Sequence, residues 1–234
     1  MTGRAGLLEQ LERIGKYRRS ATPLSMEELE SWYGYVLYRC RLGGNPARGR
    51  LSVHEPRDRA QILIDGREVG TLFRNDHDLS VPLELPPEGV QLDILVENTG
   101  RHNYGAWLED NRKGITHGVK FDHQYVFGWD IYALPMNNID LLQFGSAGSL
   151  LGPTFFQGDF EVDVPADTFV RIPGTKGVCW INGFNLGRYW SVGPQRALYV
   201  PAPLLRPGRN NVVIFEQHRL FEPIVNFEDH PDLG

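Results

Sequence analysis

The stretch GVCWINGFNLGRYWSVGPQRALYV, residues 177–200, decides the fold. Val178, Cys179, Trp180 and Ile181 form a β-branched and aromatic run, as expected of a buried strand. Asn182 and Gly183 follow directly. An Asn-Gly pair between apolar runs is the strongest short-range hairpin signal, because a type I′ turn places both central residues at positive φ. Leu186, Tyr189 and Trp190 carry the chain back, Gly193 and Pro194 break it, and Ala197, Leu198, Tyr199 and Val200 resume it. The stretch predicts three short antiparallel strands joined by tight turns.

The same pattern occurs earlier, in Gln61-Ile62-Leu63-Ile64-Asp65-Gly66-Arg67-Glu68-Val69-Gly70. Ile64 aligns with Ile181, Asp65 with Asn182, Gly66 with Gly183, Val69 with Leu186 and Gly70 with Gly187. The surroundings align as well. Tyr38 precedes Ile64 by 26 residues, and Phe156 precedes Ile181 by 25. Downstream, the run Leu92 to Glu97 answers the run Asn211 to Glu216, with Gly-to-Glu gaps of 31 and 33 residues. Three collinear matches predict two copies of one all-β unit.

A chain of 234 residues accommodates two such units of ordinary domain size. The net charge of −5 speaks against a nucleic-acid partner held by phosphate neutralisation. No apolar run approaches the ~18 residues of a membrane span, and the first twenty residues are amphipathic rather than a signal sequence. The expectation is a soluble, cytoplasmic chain with no membrane partner. Cys40 and Cys179 lie in strand runs of different units. They read either as two buried thiols or as one disulfide, and the first is favoured because nothing activates either.

Residues 3–19 read as a short helix, with Leu7, Leu8, Leu11 and Ile14 on one face. Ser25 and Glu28 form a capping-box arrangement that predicts a second short helix to about Ser31. Residues 1–32 are thus an N-terminal helix and linker, 33–132 a first β-sandwich, 133–152 a glycine-containing connector and 153–234 a second β-sandwich. Gly43 to Pro46 reads as a turn. Pro82, Pro86 and Pro87 restrict their segment to an edge strand or loop, since proline gives no N–H to a ladder. Ile224, Val225, Asn226 and Phe227 read as one last strand.

Longer motifs carry a resemblance. Trp180 to Trp190 with Gly193-Pro194-Gln195 and Leu198 to Pro201, Tyr33 to Arg39, Asp58-Arg59-Ala60, and Leu92 to Gly105 are similar to the C-terminal signature of β-galactosidases of glycoside hydrolase family 35. The resemblance covers about residues 25–216 and implies the fold class in full: all-β, two tandem antiparallel β-sandwiches of jelly-roll, galactose-binding-like type, with a short N-terminal helix. It implies a catalytic (β/α)₈ barrel ahead of this region, bearing an acid/base glutamate and a nucleophilic glutamate. No residue here inherits either role. The expected function is that of a non-catalytic accessory region, supporting β-galactoside hydrolysis by packing on or shaping such a barrel on the same or a neighbouring polypeptide. The alternative is a stand-alone galactoside-binding module. The chain alone is expected to be inactive, and a second copy of it is a further candidate partner.

Other chemistry finds little support in the residues. Retaining hydrolysis needs carboxyl groups about 5–5.5 Å apart, and the pairs Glu27/Glu28, Glu109/Asp110 and Glu228/Asp229 read as solvated charge. The seven histidines show no zinc-binding spacing, and Asn75-Asp76-His77-Asp78 reads as a polar loop, so no metal or cofactor is expected. Sugar binding needs an aromatic platform with polar groups around it. Segment 101–112 offers Arg101, Asn103, Tyr104, Trp107, Glu109 and Asp110 as candidates. A competing reading makes Tyr104 a corner residue whose hydroxyl ties down the backbone, and buries Trp107.

Overall fold

The computed structural model describes residues 1–43, 47–106, 108–146 and 152–233. The elements run β1 (Gly3–Gly6), α1 (Leu7–Ile14), β2 (Lys16–Ser20), β3 (Tyr35–Leu42), β4 (Ala47–Arg57), β5 (Arg59–Ile64), β6 (Arg67–Phe73), β7 (Ser80–Leu85), β8 (Val90–Glu97), β9 (Gly114–Phe121), β10 (Gln124–Tyr125) and β11 (Trp129–Leu134). They continue with β12 (Thr154–Val162), β13 (Thr168–Arg171), β14 (Lys176–Ile181), β15 (Phe184–Trp190), β16 (Ala197–Val200), β17 (Gly208–Glu216) and β18 (Asn226–Glu228), with single 3-10 turns at Ile139–Leu141 and Ala202–Leu204. No helix among the described residues is long and apolar enough to cross a membrane.

The chain divides into two compact lobes. Ile14–Asn138 forms the first, and Met1–Arg13 with Ile139–Gly234 forms the second. Residues 1–32 are therefore shared between the lobes rather than standing apart.

Each lobe is a sandwich of two antiparallel sheets, and the two share one topology. The first lobe has sheets ordered β2-β11-β3-β8-β5-β6 and β10-β9-β4-β7; the second has β1-β12-β17-β14-β15 and β16-β13-β18. Strands β3, β8, β5 and β6 thus correspond to β12, β17, β14 and β15, while β9, β4 and β7 correspond to β18, β13 and β16.

Both hairpins close through the expected turn: Asp65 and Gly66 have φ of 48° and 78°, Asn182 and Gly183 51° and 82°. Both also carry a bulge two residues beyond the turn, where Val69 and Leu186 have no opposite partner. Inward residues alternate along the strands, as a pleat requires, and the central strands β3, β8 and β14 are largely buried on both faces. Val36, Tyr38 and Cys40 share the inner face of one sheet with Ile62, Leu92 and Ile94 in the first core, and Phe156, Cys179, Ile181 and Ile214 fill the second. Both cysteines are buried and free, in separate cores. Burial pushes the Cys40 thiol up to about 12 and raises that of Cys179 as well.

Several local expectations need correction. The N-terminal helix spans only Leu7–Ile14, because residues on either side pair as strands, β1 with β12 and β2 with β11. Gly6 and Gly15 mark its limits, and glycine is a poor helix former. The Ser25 capping box does form: the Ser25 amide and hydroxyl both donate to Glu28 at 2.8 Å, and the Glu28 amide donates back at 3.3 Å. No helix follows it. Glu30 turns to φ 52°, and the Ser31 amide closes on the Met26 carbonyl at 2.9 Å.

The third strand of the opening stretch, β16, pairs with β13 in the other sheet rather than with β15. The last strand begins two residues later than expected, at Asn226. Pro82 does lie in an edge strand, β7. Residues 44–46 of the expected Gly43 to Pro46 turn lie outside the described residues.

Register also corrects the downstream alignment. Ala60 pairs with Val96, while Gly177 pairs with Glu216. Glu216 therefore answers Val96, not Glu97, and turns toward the inside of its lobe. There its Oε2 accepts from the Thr175 amide and the Tyr189 hydroxyl, both at 2.8 Å. Its Oε1 accepts from the amides of His218 at 2.8 Å, Arg219 at 3.1 Å and Lys176 at 3.2 Å. Gly177 makes room for this cluster: a Cβ there would lie 1.7 Å from the Phe215 carbonyl oxygen and 2.8 Å from the Tyr189 hydroxyl.

Candidate functional site

The predicted candidates lie on the loop between β8 and β9, at one end of the first lobe. Its base is pinned by charge. Arg57 is buried and bridges Glu55 and Asp110, each at 2.9 Å. Arg112 grips the same Asp110 carboxylate at 2.7 and 3.1 Å. These two arginines hold the Asp110 carboxyl well below the usual range. The Asn111 side chain bonds both backbone groups of His102, accepting at 3.1 Å and donating at 2.9 Å. Arg101 meets Glu27 at 2.6 Å, and its guanidinium lies 5.9 Å from the centre of the Trp32 ring.

Beneath the loop lies a pair that sequence reading missed. The Lys113 ammonium sits 2.7 Å from both oxygens of Asp58. The amide and hydroxyl of Thr99 donate to Asp58 Oδ2 at 2.9 and 2.8 Å, and Arg74 approaches Oδ1 at 3.5 Å. Burial works against the Asp58 charge, but the bonds from Lys113 and Thr99 outweigh it and hold the carboxyl below its ordinary value. Asp58 and Lys113 lie 55 residues apart, so no local signal joins them. The available hint was Asp58 itself, a charge set two residues before the strand run Ala60 to Ile64.

The structure thus splits the candidates. Arg101 and Asp110 are occupied in internal ion pairs. Asn103, Tyr104 and Glu109 are exposed at the apex, and Trp107 lies outside the described residues. Tyr104 is 89% exposed, which does not fit its reading as a corner residue whose hydroxyl ties down the backbone. Leu108 is exposed too, as are Trp32 and Tyr33, whose segment the Asn98 side chain ties to the loop by donating to the Trp32 carbonyl at 3.1 Å. The loop and the Trp32 segment thus carry exposed aromatic and aliphatic side chains above a base held by ion pairs.

Several carboxylates of the weighed pairs are engaged with other groups. Glu27 accepts from the Lys113 amide and pairs with Arg101, whereas Glu28 caps Ser25. Glu228 faces Arg171, and Asp229 faces His230. Among the described residues there is no group of three or more His, Cys, Asp or Glu side chains placed to hold a metal ion.

Comparison with known proteins matches both lobes to one family. The family model described as β-galactosidase, first all-beta domain, matches residues 23–135, and that described as β-galactosidase, galactose-binding domain, matches residues 153–210. A β-galactosidase of Xanthomonas manihotis is 39% identical over 192 residues, covering 82% of this chain and 31% of that protein. The human β-galactosidase-1-like protein 2 is 36% identical over 243 residues, covering 97% of this chain and 37% of that protein. The chain spans about a third of the length of the curated relatives it matches. Each lobe thus contains the stretch matched by one of two β-galactosidase domain models, and the chain belongs to the β-galactosidase family.

Proposed function

We propose that the chain is a non-catalytic accessory region of a family 35 β-galactosidase, acting by docking on a catalytic barrel and shaping it. The observation that carries this reading is the apex of the first lobe. Trp32, Tyr33, Tyr104 and Leu108 are all more than half exposed on a base held by Arg57, Asp110, Arg101 and Glu27. A rigid base with exposed apolar groups loses little entropy on association and gains from their burial. The Arg101 and Asp110 pairs serve to hold the apex in place.

The test is to combine the chain with a barrel from a similar β-galactosidase and to measure complex formation and galactoside turnover. Complex formation that Tyr104→Ala with Leu108→Ala weakens at least tenfold supports the reading. Turnover by the chain alone, or a complex indifferent to both substitutions, refutes it. In the alternative reading the same apex takes a galactoside, with Asn103, Tyr104 and Glu109 as contacts. Saturable sugar binding abolished by Tyr104→Ala would favour that alternative.

A further inference from the structure

We infer that the first lobe holds a site for a small aryl carboxylate, in a cleft of about 370 Å³ where β3, β7 and β9 end. The volume lies in the range of small-ligand sites. The cleft sits at the opposite end of β9 from the apex loop, so it does not depend on docking to a barrel.

Leu42 and Leu85, the last residues of β3 and β7, are buried and give the cleft an apolar lining. The chain around β10 supplies an aromatic wall. Tyr125 and Phe127 are both more than half exposed, with ring centres 6.3 Å apart and planes tilted by 47°. A third ring fits beside such a pair, because aromatic groups favour offset and edge-to-face contacts. The wall is fixed before any ligand arrives. Between the two rings, the Val126 amide donates to the Val119 carbonyl at 2.9 Å, and the Val126 carbonyl accepts from the Trp129 indole at 3.0 Å. The Tyr125 ring lies over Gly118, where a Cβ would come within 3.2 Å of it. A wall held in this way spends little free energy on ordering when a ligand binds.

The charge around the wall is one-sided. Arg41 lines the cleft and is exposed, and it donates to the Glu88 carbonyl at 2.6 Å, a neutral acceptor. The Lys120 ammonium lies 4.5 Å from the centre of the Tyr125 ring. Neither cation has a carboxylate partner among the described residues. Acids on the adjoining strands are engaged elsewhere: Glu84 meets Arg48 at 3.2 Å, and Asp122 accepts from the Arg50 amide at 2.8 Å. The remaining donors of the Arg41 fork match the geometry of a carboxylate. A ring for the wall and an anionic head for the guanidinium are joined in an aryl carboxylate.

Calorimetry on the full chain at neutral pH with 3-phenylpropionate tests the site, with 3-phenylpropanol as the uncharged control. Saturable binding of the acid is expected at about 1–5 mM, with the alcohol at least about fivefold weaker. Phe127→Ala and Arg41→Gln should each weaken binding of the acid about five- to tenfold without moving the melting temperature. Raising salt from about 50 to about 500 mM should weaken it at least about twofold, and Tyr104→Ala should leave it unchanged. No saturable heat up to about 20 mM acid, an alcohol that binds as well as the acid, or binding indifferent to both cleft substitutions overturns the inference.

Discussion

Replacing Lys113 by methionine isolates the worth of the buried pair beneath the first-lobe loop. Methionine keeps most of the stem that fills the site and removes the ammonium. The Lys113 side chain is 1% exposed and that of Asp58 12%, so the carboxylate left behind is largely shut off from water. Removing one member of a buried pair costs about 3–5 kcal/mol. Asp58 keeps its two bonds from Thr99 and the more distant Arg74, which places the loss near the lower bound, about 3 kcal/mol. For a lobe of this size that lowers the midpoint of thermal unfolding by about 10 °C.

Hydrogen exchange read peptide by peptide provides the assay, because it reports β3 and β8 separately from β12 and β17. Protection should fall in the first pair of strands and hold in the second. Asp58→Asn placed on top of Lys113→Met should restore at least about 1 kcal/mol, since no unpaired charge then remains. The folded Asp58 carboxyl titrates below its ordinary value, so its contribution is present above about pH 4 and is lost as pH falls through the folded value. The deficit of Lys113→Met should therefore shrink on acidification below pH ~4. A loss under about 0.5 kcal/mol, or equal loss of protection in both lobes, would refute the reasoning.

Gly177→Ala should unfold the second lobe at ordinary temperature or reduce its stability by more than about 3 kcal/mol, because the new methyl group meets backbone on a central strand; denaturant unfolding measures it. Asn182→Ala should cost the second lobe about 2–3 kcal/mol in the same assay, since Asn182 holds φ 51° while donating to Leu204 and Asn210 at 2.8 Å and accepting from the Asn211 amide at 2.9 Å. Burial raises the Glu216 carboxyl above its ordinary value despite its amide and hydroxyl donors. The protonated form is then the better accommodated, so the second lobe should gain stability as pH falls from the raised value toward about 4.3, the opposite of the first-lobe trend; exchange protection in β17 against pH would show it, and a monotonic loss would contradict it.

What was legible in the sequence was local. A type I′ turn constrains two adjacent residues, so Asp65-Gly66 and Asn182-Gly183 announce their hairpins without help from the rest of the chain. Their recurrence at matched spacing then revealed the doubled topology. What escaped depended on partners far away. Residues 3–6 and 16–20 look helical by pattern but pair with strands more than a hundred residues on. The Ser25 box was read correctly as a cap, yet a cap does not supply the helix behind it.

Glu97 and Glu216 looked equivalent because both end a strand, and only the ladder register separates them by one position. At the candidate site the residue types were right for binding. Which of them were already occupied was hard to see, because Arg101 pairs with Glu27, and Asp110 with Arg57 beside its near neighbour Arg112, across long stretches of chain.

The opening segment has a consequence for anyone wishing to study the halves apart. Strand β1 closes one edge of the second lobe although about 150 residues separate it from its neighbour β12. Severing the polypeptide after Asn138 would strip that border from the C-terminal piece and bare the flank of β12, inviting self-association. A rearranged gene that appends residues 1–13 to the C-terminal piece through a flexible linker would return the missing border and deliver the second lobe whole.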